Sequence, residues 1–589
     1  MPNPASPAPP LHRLRWLAPA LAVLLAAGCA SVSTTPATAP EHAAALAQLE
    51  QGQARDAAQR LEALAAAARG NARNALLADA AFAWHEAGDD AKARSLAAQV
   101  DVRRTGGASR ARFALLQAEL AVAARQPAAA TAALAGSDPA TLPAALQARW
   151  HLAQGQGLEA GGDIAAAAGA RARADAGLQG EARDGNRREI ERLLSSLDDA
   201  TLAARAAALP AGDPLYNFAG RALVRRGLPL PRPFDTGESW DFSQRAPAAA
   251  DGYRPPRKLA VLLPLSGPMA TASGPVRDGL LAGYHAEGRA RPPVTFYDTT
   301  GTPAGAVAAY ARAVAEGNDY VVGPLGRDEV GAVFAQADAR VPSLALNRGN
   351  VAPPPGHLAF SLAPEDDGIA AADYLLAREH RKVVVIGGSD DNGRRAVDAF
   401  RARLGERGGS VVGVVSVGEP DASGNVGDVS AQLVQAAVAG ADSVFLAVRG
   451  AQARALAPQL ATAGLSSRTR VAASQLLSGT GKASEDVVLD GIVFPGEAWP
   501  ARGVAGLPPY SQVSEMLPTA RGAAARLFAF GYDAWLISAY LERLVTRSDG
   551  ELAGATGTLR LDGFGNVVRQ PQWSIFSGGV PVPLAGSGR

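Results

Sequence analysis

The sequence predicts a multidomain chain in which an all-α helical-repeat segment is followed by a two-lobed α/β segment. Three observations predict it. Residues 41–226 are built almost wholly from strong helix formers, Ala, Leu, Arg, Gln and Glu, with few β-branched residues. A proline-rich stretch follows, and beyond residue 257 the pattern changes to short apolar, β-rich runs alternating with helical stretches. With 589 residues and about 150 residues per domain, the chain has room for two to four domains.

The amino terminus carries its own signal. Arg13 and Arg15 precede an apolar run of about a dozen residues ending at Ala27, then Gly28 and Cys29, the only cysteine in the chain. The run is too short to span a hydrocarbon core of ~30 Å as a helix and has the proportions of a signal-peptide h-region. Residues 1–28 therefore read as a signal peptide. The string LLAAGC resembles the bacterial lipobox, whose cysteine takes a diacylglycerol; the plainer alternative is a secreted protein with an ordinary cleavage site. Ala30 and Ser31 follow without an acidic residue, which by resemblance to sorted lipoproteins favours the outer membrane. Residues 29–40, small, polar and punctuated by proline, read as a lipidated flexible tether.

Residues 41–226 show a recurring turn between helices. Gly52, Gly88, Arg125 and Gly162 each precede a helical run, at spacings of about 36 or 37 residues. That is close to the ~34-residue period of tetratricopeptide repeats, in which paired helices stack and bury each other's apolar faces. Leu76, Phe82, Trp84, Phe113, Leu116 and Trp150 are the expected core. An irregular alanine-rich bundle would share much of this pattern.

Residues 227–256 are thick with proline and turn formers and read as a linker, with Trp240, Phe242 and Tyr253 marking a part that packs on a neighbour.

From 257 to 589 the chain reads as repeated βα units. KLAVLLPL, VTFYD, DYVVG and SLALN form one set of strands; KVVVIGG, SVVGVVSV and SVFLAV form another. Runs apolar on both faces, such as Val383 to Ile386, belong to parallel strands covered by helices on each side. Residues 364–367 are placed at a crossing between lobes. DGIVF is expected to begin the return to the first lobe after Ser474, residues 521–545 to form one long amphipathic helix, and TGTLRL and WSIF to close as a hairpin through Asp562 and Asn566. Two α/β lobes with several crossovers describe a type I periplasmic-binding-protein-like fold, with a cleft at the strands' carboxyl ends.

Little chemistry beyond that cleft is spelled out. The net charge of +1 and the lack of a long basic block argue against nucleic acid. The seven histidines lack metal spacing, and His85-Glu86 lacks the second histidine of HExxH, so no metal site and no cofactor are expected. No GxSxG nucleophile elbow occurs. Gly479 to Lys482 resembles a phosphate loop without its spacing or hydroxyl and reads as a turn; Asp366-Asp367 and Asp390-Asp391 read as helix caps. The cleft candidates are Ser266, Gly267, Ser273 and Gly274, after the first strand at a helix start where free N–H groups could meet an anion, with Gly323, Arg327, Asn347, Ser389 and Ser474 at other strand ends. Turn and cap chemistry is the competing reading of the same residues.

The strings LAVLLPLSGPMATASGPVRDGLLAGY, FYDTTG, DYVVGPLGRDEV, LALNR, FSLAPEDD, RLFAFGYDAW and GATGTLRLDGFGNVVRQPQWSIFSGG, behind a lipobox and helical repeats, resemble the penicillin-binding-protein activator family, LpoA or LppC. The resemblance implies a non-enzymatic outer-membrane lipoprotein facing the periplasm, near peptidoglycan. It implies that such a protein binds a bifunctional class A penicillin-binding protein of the 1A type and stimulates its transpeptidase. In amino-acid-binding relatives small hydroxyl residues grip the ligand; this chain has Gly326-Arg327 and Leu346-Asn347-Arg348 instead. The alternative is a lipid-anchored solute-binding or sensory protein using the cleft.

Overall fold

The structure is a computed structural model that describes residues 39–236, 240–336, 340–422 and 424–585. The expected signal peptide, Cys29 and residues 29–38 of the expected tether lie outside the described residues, and the last two tether positions, Ala39 and Pro40, begin the first helix. The chain divides into two compact units, Met1–Ala153 and Gln154–Arg589.

Within the first unit, antiparallel helix pairs run Ala39–Glu50 with Ala54–Ala67, Gly70–Glu86 with Asp90–Ala97, and Gly107–Ala123 with Pro127–Leu134. The turns sit where the repeat signal placed them: Gly52, Gly88 and Arg125 have φ of 81°, 79° and 56°. The chain must reverse in a few residues, and a left-handed residue does this, at least steric cost for glycine. Asp89 caps the helix after one such turn, accepting from the Lys92 N–H at 3.0 Å. Leu76, Phe82, Trp84, Phe113, Leu116 and Trp150 share one buried cluster, as expected. Asp79, fully buried, ties three helices by accepting from His42, Ser109 and Arg112, each at 2.7 Å.

The helix Ala144–Ala160 runs through the division between the units and is followed, past Gly162 at φ 86°, by Ile164–Asp175. Helices Gly180–Ser195, Asp199–Ala208 and Tyr216–Arg225 complete the helical part of the second unit. The proline-rich segment does pack: Phe234, Phe242 and Tyr253 enter the core of the first lobe, and Arg254 forms a bidentate pair with Glu542 at 2.9 Å.

The rest of the second unit is two α/β lobes. The first lobe contains β1 Leu259–Leu263, β2 Val294–Asp298, β3 Tyr320–Val322, β4 Ser343–Ala345 and β5 Leu358–Phe360. The second contains β6 Lys382–Gly388, β7 Ser410–Val417, β8 Ser443–Ala447, β9 Thr469–Ala472 and β10 Ile492–Gly496. The chain returns to the first lobe for β11 Leu552–Ala553, β12 Thr558–Leu561 and β13 Asn566–Gln570, then ends in the second with β14 Gln572–Ser577 and β15 Val580–Pro583. Among the described residues the sheets order as β11-β12-β13-β5-β4-β3-β1-β2 and β15-β14-β10-β9-β8-β6-β7. The βα-linked neighbours are parallel, and β1, β6 and β8 are apolar on both faces because helices cover each side.

Three expectations need correction. DGIVF does not start the return; β10 stays in the second sheet beside β9, and the chain leaves only after Glu497. TGTLRL does not pair with WSIF. The turn through Asp562 joins β12 to β13, and Pro571 then carries the chain across to β14 in the other lobe. The long helix is two, Ala524–Ala539 and Leu541–Thr546, broken at Tyr540, whose φ is −120°.

Candidate functional site

The parallel strands of each lobe point their carboxyl ends toward the crossovers, whereas β12 and β14 run the other way, and three segments link the lobes. They are 361–363 between β5 and the helix Pro364–Leu376, the stretch from Glu497 to the helix Ala524–Ala539, and Pro571 between β13 and β14.

Of the nine predicted cleft residues, Ser266, Ser273, Asn347 and Ser474 have their side-chain polar groups engaged within the protein, whereas Arg327 and Ser389 are exposed. Ser266, exposed, donates its hydroxyl to Asp298 at 2.6 Å. That bond, with N–H donation from Thr300 and Leu265, holds the Asp298 carboxyl below the usual range. Gly267, at φ 78°, makes the turn before the helix Ala270–Ala286. Ser273 and Gly274 lie inside that helix instead of at its mouth; Ser273 is buried and donates to the carbonyls of Pro264 at 2.7 Å and Ala270 at 2.9 Å. Gly323 is a close-approach glycine, because a Cβ there would lie 2.1 Å from the Leu262 carbonyl oxygen. Arg327 begins the helix Arg327–Phe334 and is exposed. Asn347 donates to the Leu325 carbonyl and accepts from the Arg348 N–H, both at 2.9 Å. Ser389 is exposed at the end of β6, its N–H on Val417. Among the described residues no hydrogen bond joins one of the nine to another.

Ser474 differs, because it belongs to a buried charge cluster that reaches all three crossovers. Its N–H donates to Asp367 Oδ2 at 3.1 Å, and its hydroxyl donates to the same oxygen. Asp367 stands in the first turn after the first crossover, and Glu497 directly follows β10 at the second. Arg526, from the helix that ends that crossover, donates to the Ser474 hydroxyl and places Nε 3.1 Å from Glu497 and Nη2 3.8 Å from Asp367. Arg569, at the end of β13 beside the third crossover, donates to Asp367 at 3.4 Å and lies 3.8 Å from Glu497. The side chains of Asp367, Glu497 and Arg569 are 4%, 4% and 2% exposed, and that of Arg526 is part-exposed at 22%. Two carboxylates and two guanidiniums make the cluster neutral, which is what lets it stay charged away from water. Beside it Arg348 forms a bidentate pair with Asp366 at 2.8 and 2.9 Å.

This corrects the reading of Asp366-Asp367 as caps. The residue before that helix is Ala363, without a side-chain cap, and both aspartates are taken by arginines of the first lobe. Asp390 does cap, accepting from the Gly393 N–H at 2.8 Å. The residues from Gly479 to Lys482 form a turn whose Gly481 and Lys482 N–H groups point at Asp486, at 2.7 and 3.1 Å.

Asp533, fully buried under the second crossover, accepts from the Ala555 and Thr556 N–H groups and the Thr556 hydroxyl; burial pushes its carboxyl up to about 7. In the first unit His85, Glu86 and Glu119 lie within 4.8 Å of one another. Arg149 already donates to both glutamates and His85 to Asp90, so those lone pairs are compensated by cations of the protein.

A family model described as "LppC putative lipoprotein" matches residues 253–579. Among curated relatives, the penicillin-binding protein activator LpoA of Mannheimia succiniciproducens is 26% identical over 340 residues, covering 56% of this chain and 55% of that protein. The one from Photobacterium profundum is 24% identical over 361 residues, covering 56% and 57%. The chain thus spans a little over half the length of the curated relatives it matches. Among solved structures, Haemophilus influenzae LpoA matches with a TM-score of 0.52 at 19% identity, covering 90% of this chain and 98% of that one; at this identity the likeness is one of fold.

Proposed function

Since the chain belongs to the family described as "LppC putative lipoprotein", we propose that it is an outer-membrane lipoprotein, anchored through Cys29 on the periplasmic side. In this reading it binds a class A penicillin-binding protein of the 1A type and stimulates its transpeptidase, without catalysing a reaction itself. The observation that carries the proposal is the family match across both lobes, residues 253–579, joined to relatives named as penicillin-binding protein activators. The cleft supports it from the other side: the Ser266, Ser273 and Ser474 hydroxyls and the Asn347 amide bond to Asp298, Pro264, Asp367 and Leu325 of the protein itself.

The proposed organisation is a helical domain over 41–226 and a binding-protein-like domain over 257–589, joined by 227–256. Limited proteolysis tests it, with first cuts expected in the exposed run 246–251. A synthase is too large to enter a cleft, so docking falls on exposed surfaces of the lobes. The deciding experiment mixes the purified mature chain with a class A synthase of the same organism and follows peptide cross-linking. Increased cross-linking with no turnover by the chain alone is expected; neither binding nor stimulation would remove the activator reading in favour of a cleft-binding lipoprotein. Mass spectrometry of the mature amino terminus tests the anchor, with a diacylated Cys29 expected.

A further inference from the structure

We infer that Asp367, Glu497, Arg526 and Arg569, with Ser474, are positioning residues that latch the two lobes in one fixed arrangement. The surface offered to a partner is then a single one built from both lobes, set by these residues and not by a ligand in the cleft. The inference rests on the activation reading only for what the surface is used for; the latch itself stands on the geometry.

A two-lobed protein that closes on a solute does so by changing backbone angles in the few residues that join its lobes. Here each of those joints is held. The first crossover ends at Asp367, the second is flanked by Glu497 and Arg526, and the third follows Arg569 by two residues. Arg526 and Arg569 belong to elements of the first lobe, while Asp367, Ser474 and Glu497 belong to the second. Each arginine lies within ion-pair distance, 3.1 to 3.8 Å, of both carboxylates, so withdrawing either arginine leaves both carboxylates short of counter-charge. Parting the lobes would leave buried guanidiniums and carboxylates without their counter-charges, or flood the junction with water. Arg348 and Asp366 add a second tie between the lobes beside the first. The cationic residue in the first turn of the helix Ala524–Ala539 fits this role. Arg526 stands at the positive end of the helix dipole, an unfavourable place for a cation unless carboxylates sit opposite.

The cluster also takes the place a ligand would use. Ser474, a strand-end hydroxyl of the kind that would hold a solute's charged group, is held between Asp367 and Arg526. The junction carries its own ion pairs where a binding protein would recruit the ligand's.

The test uses the full mature chain with Cys29→Ser, which leaves only introduced thiols because Cys29 is the sole cysteine. Arg327→Cys and Ser389→Cys, exposed and on opposite lobes, take spin labels for a distance measurement. The parent should show one narrow distance, unchanged by amino acids or by peptidoglycan fragments. Glu497→Gln with Arg526→Gln removes one charge of each sign and should broaden that distance or add a longer one, and Asp367→Asn should do so alone. The same variants should lose stimulation of a class A synthase while helical content by circular dichroism is retained. A broad or two-peaked parent distribution, or an unchanged distribution in folded variants, overturns the latch. If both variants unfold, the parent's distribution decides by itself. A parent with one narrow distance that stimulates no synthase defeats the activation reading and leaves the latch standing.

Discussion

Glycine is used for opposite reasons in the helical repeats and in the first lobe. At Gly52, Gly88 and Gly162 the backbone is left-handed and a Cβ would meet nothing within 4 Å; the residue is there for its φ. At Gly279 and Gly531 no positive φ is needed, yet a Cβ would lie 1.8 Å from the Phe528 carbonyl oxygen and 1.9 Å from that of Val276. Gly283 adds a third contact, 2.7 Å from Trp535. These glycines let the helices Ala270–Ala286 and Ala524–Ala539 meet backbone to backbone, and the second of those helices carries Arg526 and Asp533. The repeats thus depend on turns that can be strained a little, whereas the lobes depend on a contact that cannot give.

The largest effect is expected at Gly531. Gly531→Ala must push the two helices apart along their contact, and overpacking of this kind costs about 3 kcal/mol, the upper end of its usual range. Denaturant unfolding should show the α/β transition weakened by that amount, with the helical repeats unmoved. Synthase stimulation should fall with it. Equal loss in both transitions would mean that the two regions unfold as one.

A second effect separates the regions by pH. Asp533 has its carboxyl pushed up to about 7 from 3.8, chiefly by burial, so the folded chain holds this proton where the unfolded chain has lost it. Stability from this group is complete below about pH 4 and falls as pH rises to about 7. Asp533→Asn should flatten that slope, read as thermal midpoints of the α/β transition from pH 4 to 8. A slope unchanged by the substitution would assign it to other groups.

His85, in the repeats, titrates in a later window. Its pKa is raised from 6.5, first by the hydrogen bond to Glu119 at 3.2 Å and then by Asp90 at 2.6 Å, with burial opposing. Its contribution is present below pH 6.5 and is lost as pH rises through the folded pKa. His85→Gln should remove the loss of helical stability above neutrality while leaving the pH 4 to 7 behaviour of the lobes intact. The effect should be smaller than that at Asp533, because His85 is part-exposed and its pairs are screened.

What could be read from the sequence follows from how local each feature is. The repeat turns were legible because a hairpin of helices needs its left-handed residue at one place, and all four marked positions have positive φ. The apolar strands were legible because burial on both faces leaves no polar positions, as in Val383 to Ile386. The latch was not, since Asp367 meets Ser474 across 107 residues and Arg569 across 202. Ser474 reads as a strand-end hydroxyl, but its partners come from separate crossovers, and Asp366-Asp367 at a helix start reads as capping because the facing arginines are distant in sequence. The turn at Asp562 is legible but its partner strand is not, because Pro571 moves the chain between sheets only one residue after β13 ends.

The smallest expected effect has the opposite sign. Arg125 occupies the same turn position as Gly52, Gly88 and Gly162, with φ 56°, and a residue with a Cβ pays roughly 1 kcal/mol there. Its side chain is exposed and, among the described residues, makes no ion pair, so the backbone decides. Arg125→Gly relieves the strain but also frees the unfolded chain, which offsets part of the gain. The net should be a stabilisation of up to about 0.5 kcal/mol, against a loss of roughly 1 kcal/mol for Gly88→Ala at the equivalent turn. Measured side by side on the helical transition, the two substitutions should move its midpoint in opposite directions. If Arg125→Gly destabilised the repeats as Gly88→Ala does, the turn would owe its shape to the arginine side chain, and the equivalence of the four turns would fail.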